Sequence, residues 1–241
     1  MKFGMLTLLI CVAPAVAEVA TVRGRVEVLG ANKVKHARAP VAVVWLTPVG
    51  GTVGDAAAEN ARANSSSGNW RLVQRHKSFE PQVLVVPAGA SVEFPNRDPF
   101  FHNVFSLFEG KRFDLGLYEA GSSRMVRFDR PGISYIFCNI HPEMSAVVVT
   151  LETPWYAVSK GDGELSIADV PYGRYMLHTW SEGMGPDSKG QAAREITIGE
   201  GASLGLIRVP ADSGEKLAHK NKYGRDYDNP VPDSTVYPQQ R

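Results

Sequence analysis

Cysteine is nearly missing from this chain, with Cys11 and Cys138 the two examples among 241 residues. Cys11 lies in an apolar N-terminal run with the form of a removable leader. A processed chain would keep one thiol, which excludes a disulfide framework within the monomer. An excess of one charge is also lacking. With 26 Lys and Arg against 25 Asp and Glu, there is no net field to hold a polyanion, so neither nucleic acid nor acidic lipid is an expected partner. Beyond the first residues no hydrophobic run reaches the length that crosses a bilayer, so no membrane insertion is expected after leader removal. Histidine is sparse as well, with six in all and no His-x-His.

The leader itself is short. Met1-Lys2 supplies a positive start, Phe3 to Val12 is almost wholly apolar, and Ala15-Val16-Ala17 has the small-x-small form of a cleavage site. Residues 1–17 are therefore read as a signal peptide and the protein as exported to the periplasm. That compartment favours thiol oxidation, so a lone Cys138 needs an occupation, and metal ligation supplies one.

After Glu18 the chain reads as short β segments punctuated by Gly, Pro and Asn. Val22, Gly24, Val26 and Val28 share one face of a strand, and Val41 to Leu46 is apolar throughout, as for a strand buried on both sides. Residues 51–69 turn Ala/Asn/Ser-rich and read as a flexible loop, with a short helix after Asp55. Residues 70–152 hold six candidate strands: Val83 to Val86, Ser91 to Phe94, His102 to Phe105, Met125 to Phe128, Ile133 to Cys138 and Ala146 to Leu151. Residues 153–210 are again β in character, and residues 211–241 form a polar tail expected to be extended or disordered, whose tyrosines can still pack along a surface. The fold class is all-β.

The chemistry concentrates in Cys138-Asn139-Ile140-His141-Pro142-Glu143-Met144, with His102 upstream. Soft thiolate and thioether suit Cu(I), imidazole suits both oxidation states, and a weak axial Met gives a geometry that neither state strongly prefers. Cys138 would end one strand and Met144 open the next, with His141 at the crest of the turn. Met is a poor ligand for zinc, the main competing metal. Of the other histidines, His36, His76 and His219 lie in polar, basic stretches and read as solvated, and His178 reads as a half-buried strand residue.

Two stretches resemble the cupredoxin family. Val86-Pro87-Ala88-Gly89-Ala90-Ser91-Val92-Glu93-Phe94-Pro95-Asn96-Arg97-Asp98, leading to His102-Asn103-Val104, is similar to the segment that carries the family's first histidine ligand. The C-x2-H-P-x-M loop after Pro131-Gly132 is similar to the short amicyanin-type loop. The resemblance spans about Phe79 to Leu151. It implies a Greek-key β-sandwich with one mononuclear type 1 copper held by His102, Cys138, His141 and Met144. It also implies that Asn103 ties the ligand loops together. One departure is Ser134, which stands where the family often has an aromatic, with Tyr135 out of phase.

The flanking segments, 18–50 together with 153–210, resemble a carboxypeptidase regulatory-like, transthyretin-type sandwich on Gly163-Glu164-Leu165-Ser166-Ile167-Ala168-Asp169-Val170-Pro171-Tyr172-Gly173-Arg174-Tyr175. The cupredoxin segment is thus expected to be inserted in, or flanked by, a second small sandwich. The combination is similar to exported methylamine-utilisation-type proteins. It implies a periplasmic blue copper protein, not an enzyme, that passes single electrons between a redox donor and an acceptor protein. The alternative is copper delivery or sensing without a sustained carrier role. A polynuclear copper enzyme would need histidines that the chain lacks.

Overall fold

The computed structural model describes residues 18–29, 40–50, 68–107, 110–182, 184, 193–210 and 219–227. The leader, the helix expected after Asp55, nearly all of the 51–69 loop, and His36 lie outside the described residues. So do the rest of the tail and Tyr237. The described secondary structure is all-β. No helix among the described residues is long and apolar enough to cross a membrane.

Four sheets carry the fold. A five-stranded sheet runs in the order Val83–Pro87, Ser145–Leu151, Gly132–Cys138, His102–Ser106, Phe113–Tyr118. A three-stranded sheet of Ser123–Phe128, Ala90–Pro95 and Trp70–Arg71 closes one side of it. The core between them takes Val92, Phe94, Val104, Tyr118, Phe128, Ile136, Cys138 and Val148. Among the described residues, the strands of the flanking segments pair with each other. Ala42–Pro48 lies between Tyr156–Val158 and Gly173–Ser181, which pairs in turn with Arg194–Ile198, and Val19–Leu29 lies between Glu164–Pro171 and Ser203–Pro210.

What joins the two halves is strand alternation. In a strand, successive side chains point to opposite faces. On Gly132–Cys138, Ile136 and Cys138 enter the first core, while Tyr135 and Phe137 enter a second. The neighbouring strand repeats the split, with Ala146 and Val148 on one side and Val147, Val149 and Leu151 on the other. That second cluster also contains Val43, Trp45, Trp155 and Trp180 of the flanking sheets. The two central strands Gly132–Cys138 and Ser145–Leu151 are therefore covered on both faces, while the edge strand Phe113–Tyr118 keeps Leu117 exposed. This explains Ser134 and Tyr135: Ser134 shares the face of Ile136 and Cys138, where it is fully buried, and the aromatic ring faces the flanking sheets. There the Tyr135 hydroxyl donates to the Met184 carbonyl at 2.7 Å and accepts from Trp180 Nε1 at 3.4 Å.

The predicted strands are present, most of them a residue or two longer than expected. Ala42 to Leu46 is buried without interruption, as its apolar run implies. The Asp162-Gly163 turn needs its glycine. Gly163 has φ +84°, and a Cβ there would stand 2.3 Å from the Val26 carbonyl oxygen. Phe113–Tyr118 and the hairpin of Val73–Arg75 with Ser78–Glu80 were not expected as strands. Gly116 interrupts the first, and the second is too short for a periodic signal. Residues 219–227, expected to be extended or disordered with Tyr223 and Tyr227 able to pack along a surface, dock on the Cys138 end of the sheet through Tyr227, while Tyr223 stays exposed.

Tyr135→Phe keeps the ring but leaves a buried carbonyl without its donor. It should cost about 1–2 kcal/mol of unfolding free energy, read from urea denaturation. A wild-type midpoint would show that the hydroxyl does not hold the two halves together.

Candidate metal centre

The site forms where the central strand of the five-stranded sheet ends. Cys138 lies opposite Val104, on the same face as Val104 and, two residues earlier, His102. The chain then bends through Asn139 and Ile140 and returns. Met144 N donates to the His141 carbonyl at 3.1 Å, and Cys138 N donates to the Met144 carbonyl at 3.3 Å. The short loop thus closes on itself and presents His141 at its crest.

Three donor atoms converge. Cys138 Sγ is 3.6 Å from His102 Nδ1 and 3.5 Å from His141 Nδ1, and the two nitrogens are 3.1 Å apart. A point equidistant from all three lies about 2 Å from each, close to a transition-metal bond to imidazole nitrogen. Cys138, His102 and Met144 are fully buried, and Met144 belongs to the same core cluster as Cys138. His141 is half-buried. Phe100 packs against both imidazoles, with ring centroids 5.3 Å from His102 and 5.4 Å from His141.

Asp98 decides which nitrogen of His102 faces the pocket. Its Oδ2 lies 2.9 Å from His102 Nε2. An ionised carboxylate can only accept, so Nε2 carries the proton and the Nδ1 lone pair is left to bind. Asp98 is itself fixed by the amides of His76 at 2.6 Å and Lys77 at 3.0 Å, while its own amide donates to Asn96 Oδ1. Burial alone would raise its carboxyl. The bonds from His102, Lys77 and His76 more than offset that and hold it below the usual carboxylate value. Asp98 was not singled out from the sequence. The signal was there, as an acidic residue four positions before the histidine.

Asn103 joins the loops chiefly through its backbone. Its carbonyl accepts from the Asn139 amide at 2.9 Å. Its side-chain Nδ2 turns away, donating to Asp114 Oδ1 at 2.7 Å and the Gly116 carbonyl at 3.0 Å.

The pocket holds its bases neutral. Burial, followed by the charge of His102, pushes His141 down to about 4. Burial also lowers His102, despite the opposing pull of Asp98. Burial raises the Cys138 thiol, while the amides of Ile140, Asn103 and His141 pull the other way. Neutral imidazoles and a thiol ringed by N–H donors form a cavity ready to exchange one proton for a metal.

The other histidines divide. His178 stacks on Trp45 at 5.2 Å, and its Nε2 lies 2.8 Å from Thr47 Oγ1, a half-buried strand histidine as expected. His76 is exposed. His219 corrects the expectation of a solvated ring, since it stacks on Phe137 with centroids 3.9 Å apart. The polar composition around it gave no hint of an aromatic partner distant in sequence.

No family model matches the chain, and no curated protein matches it. Solved structures resemble about a third of it. A Cu-containing nitrite reductase from Thermus scotoductus SA-01 is 25% identical with a TM-score of 0.33, covering 35% of this chain and 22% of that one. A purple cupredoxin from Nitrosopumilus maritimus is 21% identical with a TM-score of 0.32, covering 34% and 99%. The reduced Cu(I) form of an amicyanin point mutant is 22% identical with a TM-score of 0.33, covering 37% and 89%.

Asp98→Asn keeps the size of the side chain but weakens its hold on His102 Nε2–H. If the three donors hold a metal, its affinity should fall about 10–100-fold, measured by competition with a chromophoric chelator. An unchanged affinity would mean that Asp98 does not orient the ligand.

Proposed function

We propose that this protein is a periplasmic type 1 copper protein that carries single electrons between redox partner proteins. The observation that carries the reading is the convergence of Cys138 Sγ, His102 Nδ1 and His141 Nδ1 at separations of 3.1 to 3.6 Å, with Met144 buried alongside.

The donor set fits copper. One thiolate and two imidazole nitrogens form a trigonal arrangement, and a thioether is available as a long axial ligand. Cys138 would supply the thiolate, His102 and His141 the equatorial nitrogens, and Met144 the axial sulfur. When bound, copper supplies a one-electron couple between Cu(I) and Cu(II). The residues keep that couple cheap to cycle. His102 is locked by Asp98, Cys138 by the sheet, and His141 by a loop with little slack, so the same positions serve both oxidation states. The buried Cys138, His102 and Met144 favour retention of the metal over the alternative of copper delivery, which calls for an open site with exchangeable ligands.

Access is through one edge. Half-buried His141 packs against Phe100 and is flanked in the chain by Ile140, 39% exposed, and by exposed Pro142, while Phe101, next to Phe100 in the chain, is 37% exposed. Such a small apolar rim suits brief docking of a donor or acceptor, with separation after transfer. Export rests on the leader-like residues 1–17. The flanking strands are proposed as a discontinuous domain of residues 18–50 and 153–210 around the 70–152 unit, and their role here is to cover the back of the sheet that carries Cys138.

The copper-loaded protein should absorb intensely in the visible only when oxidised, through thiolate-to-Cu(II) charge transfer. Cys138→Ser should abolish the band, and its persistence would sink the assignment. Met144→Gln should keep the colour but lower the reduction potential, because the thioether favours Cu(I). Voltammetry showing no shift would remove Met144 from the ligand set.

A charge placed at Pro142 tests the docking edge separately. Pro142→Glu should slow electron exchange with a partner protein at least several-fold while the visible spectrum stays nearly unchanged. Equal exchange rates would move the docking face elsewhere.

A further inference from the structure

Residues 219–227 reach the ligand loop from a part of the chain about eighty residues further on. Tyr227 Oη lies 2.7 Å from the Cys138 carbonyl oxygen and 3.0 Å from His219 Nδ1. The proton positions follow from what each atom can do. The Cys138 carbonyl can only accept, so the phenol donates to it. The phenol oxygen must then accept from His219 Nδ1–H. That is consistent with the Lys220 carbonyl, also an acceptor only, lying 3.2 Å from the same nitrogen. Each donor finds an acceptor, and the chain of bonds has one direction, from imidazole to phenol to the cysteine carbonyl. His219 is held in place by stacking on Phe137, the residue before Cys138. Burial pushes its ring below the ordinary histidine value, which keeps it neutral.

Further contacts fasten the same segment to both ligand strands. The Lys222 amide donates to Asn139 Oδ1 at 2.9 Å, and Lys222 Nζ donates to Asp114 Oδ2 at 2.7 Å. Asp114 in turn accepts from Asn103 Nδ2, beside His102. The segment is internally fixed by Asn221, whose side-chain oxygen accepts from the amides of Tyr223 and Arg225. One short stretch therefore grips the Cys138–Asn139 side directly and the His102–Asn103 side through Asp114. It leaves the rim of Phe101, Ile140 and Pro142 exposed.

We infer that residues 219–227 are a strap that holds the ligand loop in its binding shape, with Tyr227 as the positioning residue that fixes Cys138 through its carbonyl. The inference rests on reading Cys138 as the metal thiolate, but the strap is a property of the metal-free chain. The loop is only seven residues and already closed on itself. The strap supplies something else, a brace on the outer side of Cys138 from which the loop can lean neither toward solvent nor away from His102. The hydroxyl also aims the positive end of its dipole at the cysteine, which favours the more electron-rich, reduced state of the site.

The test is hydrogen exchange on the metal-free, full-length protein. Removing one hydrogen bond of ordinary strength in Tyr227→Phe should speed exchange at the Asn139 and Met144 amides about five-fold. The amides of Val22 to Val26 should keep their wild-type rates. Coupling is reciprocal, so Asn139→Ala, which takes the acceptor from Lys222, should speed exchange at the Lys222 and Arg225 amides to a similar degree. This second variant serves if the first does not fold. In the copper-loaded protein Tyr227→Phe should lower the reduction potential, a readout that a purely structural contact would not move. Wild-type exchange at Asn139 and Met144, a wild-type rate at Lys222 in Asn139→Ala, or an unshifted potential would each overturn the strap. If the exchange effects appear while the protein takes up no copper, the proposed function fails and the strap stands.

Discussion

The strand Gly132–Cys138 has no solvent face, and the rest of the structure follows from that constraint. A strand buried on both sides must satisfy two cores at once, and the two-residue period assigns its side chains without choice. Tyr135 and Phe137 go to the interface with the flanking sheets, and Ile136 and Cys138 go to the sandwich that carries the donor atoms. A shift of register by one residue would turn Cys138 to the face where Phe137 meets Phe105 and His219, and take its sulfur away from His102. The flanking strands thus do more than decorate the site. By filling the back of the sheet they make the register of the ligand strand expensive to change.

Electrostatics complete what packing begins. Burial disfavours every charge in the pocket, which by itself would give two neutral imidazoles and a neutral thiol. Asp98 adds the asymmetry. It is kept ionised by three N–H donors and passes that order to His102, whose Nδ1 must then face His141 and Cys138. The amides of Asn103, Ile140 and His141 do the corresponding work for the sulfur, lowering the cost of the thiolate in a place where burial raises it. The donor types in the cavity, one sulfur and two imidazole nitrogens, are those that suit soft, imidazole-tolerant metals rather than hard ones.

How much of this was legible beforehand differs by element. The convergence of His102, Cys138 and His141 could be read because two of the three share one heptapeptide with Met144 and their residue types are chemically specific. The strand at 42–48 and the alternation at 19–29 were legible because apolar periodicity is local. Ser134 and Tyr135 looked like a departure from the expected pattern. They became intelligible only when a second pair of sheets was present to receive the tyrosine, which is a tertiary fact with no local trace. Asp98 was visible as a letter in the motif but not as a partner, because its role depends on the backbone returning through His76 and Lys77. The strap was hidden for the same reason. His219 and Tyr227 sit in a polar, aliphatic-poor stretch whose composition suggests disorder, and what orders it is a set of acceptors on a loop distant in sequence.

The two sides of the ligand loop are consequently unequal. On the Cys138 side, His219, Lys222 and Tyr227 cover the strand end and use its carbonyl and the Asn139 side chain. On the His141 side, the loop crest meets solvent among Phe101, Ile140 and Pro142, with Phe100 wedged behind both imidazoles. A site open on both sides would let water and thiol oxidants reach the sulfur. A site closed on both would bar a redox partner under the proposed role. Covering the sulfur and exposing one imidazole edge separates those demands, because the ring that reaches the surface is also the one whose nitrogen lies 3.5 Å from Cys138 Sγ. Under the proposed electron-carrier role, exchange is confined to the His141 face, because residues 219–227 occupy the other.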